Sequence, residues 1–85
     1  MTRQELRVYN ALTDRERECI RWFLRSLTQK QLGRLMGITT PTVKTHMVRV
    51  YRKTKTDSRL KLLVYLTAHP ELRDAILDDA EKEEE

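Results

Sequence analysis

The chain has 85 residues, 35% of them charged, with few aromatics, two glycines and two prolines, which favours one small all-α domain over a β fold. A single cysteine, Cys19, excludes an intrachain disulfide framework and fits a reducing, cytoplasmic setting, and no apolar run approaches the ~20 residues that span a bilayer, so no membrane partner is expected. The formal charge of +4 divides into −5 on residues 78–85 and +9 on residues 1–77, and residues 28–61 alone carry +8, with Asp57 the one acid among nine bases. A field of that sign in one segment suits a polyanion.

Thr2 and Glu5 have the spacing of a capping box, in which a hydroxyl and a carboxylate three residues apart satisfy each other's backbone N–H. A short helix over 3–10 is expected, with Leu6 and Tyr9 as its apolar side. Thr13 and Glu16 repeat the box and open a helix over 14–25. Its inward stripe is Cys19, Ile20, Phe23, Leu24 and Leu27, with Trp22 at the boundary. Cys19 reads as a small buried apolar residue, not as a nucleophile. Thr28 and Gln31 form a third box before a helix over 29–36, with Leu32, Leu35 and Met36 inward. Gly37 suits a stop at positive φ. Gly33 in mid-helix costs about 1 kcal/mol against alanine, a cost tolerated where another backbone comes close.

Thr39 or Thr40 caps the next helix, and Pro41 fits its first turn. The helix should reach about Lys55. Val43, Met47, Val50 and Tyr51 share one face; Lys44, Thr45, Val48 and Arg52 share the other. Thr56, Asp57 and Ser58 form a break with capping chemistry. The helix over 59–68 is apolar on nearly all sides, with Leu60, Leu63, Val64 and Tyr65 grouped and Leu62 and Leu66 on another side. An exposed apolar strip marks an interface, so Leu62, Leu66, Leu63 and Tyr65 are the expected dimer contacts. The competing cover within one chain is the helix restarted at Pro70, with Leu72, Ala75, Ile76 and Leu77 on one side. The domain is expected over 1–77, and the acidic tail 78–85 should be disordered.

A helix over 29–36, a turn at Gly37 to Thr39 and a longer helix over about 40–55 describe a helix-turn-helix. Its second helix fits the major groove, and the first lies across the phosphate backbone. Thr28, Gln29 and Lys30 supply hydroxyl, amide and ammonium donors where free N–H groups already favour an anion. Arg49, Arg52 and Lys53 are further candidates for phosphate contact.

These residues carry a resemblance. Leu12 to Glu18 (LTDRERE), Thr28 to Leu32 (TQKQL), Ile38-Thr39, Thr42 to His46 (TVKTH), Lys53 and Ser58-Arg59 resemble the LuxR/GerE-type helix-turn-helix, over a motif core of about 12–66. The resemblance implies a four-helix DNA-binding domain of a transcription regulator, whose third helix reads DNA and whose fourth commonly makes a dimer. By position, it implies that Lys44 and Thr45 face bases and that Thr42, Gln29 and Lys30 face phosphates. Val43 would be core, His46 would pack or bond at the edge, and Glu16 and Arg59 would form a structural ion pair. Gln29, Gln31, Gly33 and Ser26 stand where the family pattern has Asn, Glu, Ala and Gly. Val48 replaces a residue that is commonly polar and could meet a thymine methyl.

The expected partners are double-stranded DNA and a second copy of the chain, without cofactor or metal. The alternative is a helix-turn-helix that binds protein, like sigma-factor region 4, with RNA polymerase or another regulator as its partner. Neither a Ser-His-Asp set nor paired carboxylates point to an enzyme, and no His or Cys spacing points to a metal.

Overall fold

Four threonines, each in extended backbone conformation, start the first four helices of the computed structural model, which describes residues 1–25 and 27–83, without the side chains of 80–83. The helices are α1 (Arg3–Ala11), α2 (Asp14–Phe23), α3 (Gln29–Met36), α4 (Thr40–Thr54), α5 (Arg59–Ala68) and α6 (Pro70–Glu83), and the architecture is all-helical among the described residues. All three capping boxes form. The Glu5 side chain accepts from the Thr2 N–H at 2.7 Å, Glu16 from Thr13 at 3.0 Å and Gln31 from Thr28 at 2.8 Å. Each such cap stabilises its helix by about 1 kcal/mol. Thr39 caps α4 without a reciprocal acid.

Two helices end in left-handed residues. Gly37 (φ 69°) closes α3, with the Ile38 N–H on the Gly33 carbonyl at 2.9 Å; Lys55 (φ 57°) closes α4, with the Thr56 N–H on the Tyr51 carbonyl at 2.9 Å. Both bonds are the long closure of a Schellman motif. The bend after α3 explains Gly33. A Cβ there would come within 2.7 Å of the Ile38 carbonyl oxygen, so the turn lies against α3 only because position 33 lacks a side chain.

The core joins Leu12, Cys19, Ile20, Phe23, Leu32, Met36, Val43, Met47 and Val50 to Leu62, Leu66, Leu72 and Ile76. Helix α2 packs on both α4 and α6, α3 packs on α4, and α1 on α4 and α6. Each fully buried Leu, Ile or Val contributes about 1.5–3 kcal/mol of transfer free energy. Cys19 lies against Met36, sulfur to sulfur at 3.5 Å. Burial pushes its thiol up to about 11, which makes it a packing residue.

Several expectations are corrected. Leu62 and Leu66 have no exposed surface. They join Leu72 and Ile76 of α6 in the core, so burial within one chain replaces the dimer at these two positions. Leu63 of the same helix is 45% exposed, and Tyr65 is half-buried against the His69 ring at 4.5 Å. Leu6 and Leu35 are exposed. Helix α1 turns Val8 and Tyr9 to the core instead of Leu6, and α3 buries Leu32 and Met36, one turn apart, which leaves Leu35 outside. Helix α2 ends at Phe23, two residues early. The turn expected to be altered by Ser26 lies outside the described residues.

Helix α6 continues to Glu83, so residues 78–83 of the expected tail are helical. Asp79 anchors it by accepting from the Tyr9 hydroxyl at 2.7 Å and lying 3.0 Å from the Arg17 guanidinium. Glu84 and Glu85 lie outside the described residues. No helix among the described residues is long and apolar enough to cross a membrane.

Candidate nucleic-acid interface

Helix α4 separates its residues by chemistry. Val43, Met47, Val50 and Thr54 point into the core. Lys44, Thr45, Val48, Arg49 and Arg52 line one shallow groove on the outer side. These positions recur at three- and four-residue steps, so they form a single strip along the helix. Val48 is 53% exposed, an apolar contact surface set among cations. Lys44 and Arg52 make no hydrogen bond or ion pair among the described residues, so a polyanion meets them without breaking anything. Thr45 is less free, because its hydroxyl donates to the Pro41 carbonyl at 3.1 Å. It keeps its methyl and its oxygen lone pairs for a ligand. Thr42 shares a 3.0 Å hydroxyl contact with the Thr39 cap.

Helix α3 precedes α4 in the helix-turn-helix and packs on it. The Thr28 hydroxyl accepts from the Gln31 N–H at 3.2 Å, which leaves the first two N–H groups of the helix, those of Gln29 and Lys30, for an anion. Lys30 is exposed and Gln29 half-buried.

Two of the expected roles change. Lys53, expected at phosphate, donates to the Glu16 carboxylate at 2.6 Å, and Glu16 is 1% exposed. Burial alone would push the Glu16 carboxyl up. The Lys53 hydrogen bond, the Thr13 N–H and the charges of Lys53 and Arg49 outweigh burial and hold it below the usual carboxylate range. The expected partner of Glu16, Arg59, is elsewhere. Its guanidinium donates to the Leu27 carbonyl at 3.2 Å and lies 4.9 Å from the Phe23 ring centre. Glu16 therefore ties α2 to α4, while Arg59 ties α5 to the α2–α3 connection. His46 is half-buried, and its Nδ1 is buried without a hydrogen-bond partner among the described residues, which fits packing at the domain's edge.

Two supports of the site were not singled out from sequence. Arg15 donates to the Met36 carbonyl at 3.0 Å and so caps the C-terminus of α3. Thr54 is buried, and its hydroxyl donates to the Val50 carbonyl at 2.9 Å and meets the Thr56 hydroxyl at 2.8 Å. A threonine just before a helix break is the available signal for the second. The first has none, since its acceptor lies 21 residues away.

The family model for bacterial regulatory proteins of the luxR family, GerE, matches residues 10–66. A protein described as probable transcriptional regulator ycf29, from Guillardia theta, is 33% identical over 57 residues, which are 67% of this chain and 27% of that protein. The transcriptional activator proteins AhyR of Aeromonas hydrophila and AsaR of Aeromonas salmonicida are each 40% identical over 53 residues, 62% of this chain and 20% of theirs. The chain thus spans about a quarter or less of the length of these relatives. No solved structure matches it.

Proposed function

Since the chain belongs to the luxR family of bacterial regulatory proteins, we propose that it binds double-stranded DNA through the outer face of α4 and regulates transcription. The observation that carries this reading is the strip of Lys44, Thr45, Val48, Arg49 and Arg52, with Lys44 and Arg52 unpaired among the described residues. A helix in the major groove presents its first turns to base edges, so Lys44, Thr45 and Val48 take the bases. Arg49, Arg52, Thr42, Thr28, Gln29 and Lys30 take the phosphates. Lys53 is reserved for Glu16.

Pairing of two copies fits a surface different from Leu62 and Leu66. Leu60, Leu63 and Val64 are 70%, 45% and 60% exposed on α5, an apolar strip of the kind that marks an interface. A two-fold pair through this strip would set two reading helices about one DNA turn apart, ~34–36 Å. The protein-binding alternative uses the same strip for a polymerase subunit, and its binding would be largely indifferent to salt.

Duplexes selected from random DNA test the reading. Lys44→Ala should lose about 1–3 kcal/mol on the selected site and less on a random duplex. Lys30→Ala should weaken both alike and make the salt slope shallower by about one. Equal losses from Lys44→Ala on the two duplexes would remove it from the bases.

A further inference from the structure

Helix α1 lies almost wholly outside the stretch matched by the luxR family, and the reading of α4 gives it no role. Its inner side is fixed at two points. Glu5 accepts from the Thr2 N–H and meets His69 Nδ1 at 2.9 Å, and Tyr9 donates to Asp79 at 2.7 Å. Its other side carries Arg3 and Arg7, one helical turn apart. With Gln4, Val8 and Ala11 they line a shallow groove whose opposite wall is Lys53 and Lys55, at the C-terminal end of α4.

No acid lines this groove. Lys53 is taken by Glu16, but Arg3, Arg7 and Lys55 have no side-chain partner among the described residues. Lys55 is the C-cap residue of α4, three residues beyond Arg52 in the chain, so this second cationic groove begins at the end of the helix that carries the first. Lys55 also sits at φ 57°, where glycine or asparagine is usual. A lysine there keeps a charge at the mouth of the groove at some cost in backbone strain.

We propose that Arg3, Arg7 and Lys55 form a second phosphate-contacting surface, which extends the DNA footprint from the reading helix to the backbone beside it. This rests on the reading of α4 as the DNA face. Guanidinium groups offer forked donors that match phosphate oxygens. Because α1 is already held at His69 and Asp79, only the arginine side chains, and not the helix that carries them, have to be ordered on binding. Contacts to phosphate add affinity without sequence preference.

The test uses the full chain and a mixed-sequence duplex of about 30 bp, with affinity followed against salt. Arg3→Gln/Arg7→Gln should melt like wild type and lower the salt slope by about 1.8, that is 0.9 for each phosphate no longer neutralised. Arg3→Lys/Arg7→Lys should restore most of the slope. A charge-matched control on α5 and α6, Lys61→Gln/Arg73→Gln, should change it much less. A slope for Arg3→Gln/Arg7→Gln equal to that of wild type or of the control would overturn the proposal. If wild type binds no duplex at all, the reading of α4 fails first and this surface falls with it.

Discussion

Helices α4 and α5 both turn one side to the core and leave the other in solvent, but what they leave out is opposite in kind. Helix α4 exposes Lys44, Thr45, Arg49 and Arg52 around one valine. Helix α5 exposes Leu60, Leu63 and Val64. Water solvates the first set well and the second badly. The first attracts a polyanion at long range; the second gains only by contact with another apolar surface. Under the proposed function the first face takes DNA and the second a protein surface.

The sharpest way to break this contrast is to charge each side of α5 in turn. Leu66→Asp places an unpaired carboxylate in the core, where it has no exposed surface, and should cost several kcal/mol and abolish cooperative melting. Val43→Asp should do the same in α4. Leu63→Asp, one turn away on the exposed side, should shift stability by no more than about 0.5 kcal/mol and yield a folded monomer by sedimentation. A Leu66→Asp protein that melts like wild type would mean that α5 is rotated from the orientation described.

The two helices were unequally legible for the same reason. In α4 the charged and apolar positions alternate with the helical period, so Val43 and Lys44 can be assigned to opposite sides without a structure. In α5 leucines and valines surround the axis, and periodicity cannot say which of them is buried. The answer depends on tertiary packing: Leu62 and Leu66 join Leu72 and Ile76 of α6 in the core, while Leu63 stays outside. Threonine caps are local chemistry and were readable at Thr2, Thr13 and Thr28. The partners of Glu16 and Arg59 depend on how distant segments meet. Lys53 is 37 residues from Glu16, and no local pattern distinguishes it from Arg59. The tail at Asp78 looked solvated because its acids hide one anchor, Asp79, whose acceptor role needs Tyr9 in place.

A smaller effect tests how α4 is held to α2. Glu16→Ala removes the returning half of a capping box and the partner of Lys53, and should cost about 2 kcal/mol, less than a fully enclosed pair because Lys53 can still reach water. The sign with pH follows from the lowered carboxyl of Glu16. Its contribution is fully present above the unfolded-state pKa of about 4.3 and is lost as pH falls through the folded-state value. Stability of the wild type should therefore decline in acid below that range, and Glu16→Gln should decline less over the same interval in thermal melts.

The central claim, that the outer face of α4 is where DNA sits, is tested most directly by backbone amide shifts of the isotope-labelled chain titrated with a selected duplex. The largest changes should fall on Thr28 to Lys30 and on Thr42 to Arg52, with Leu60, Leu63 and Val64 perturbed only where two copies pair. Changes confined to α5, with Lys44, Thr45 and Val48 unmoved, would contradict the account and make the helix-turn-helix a protein-binding module.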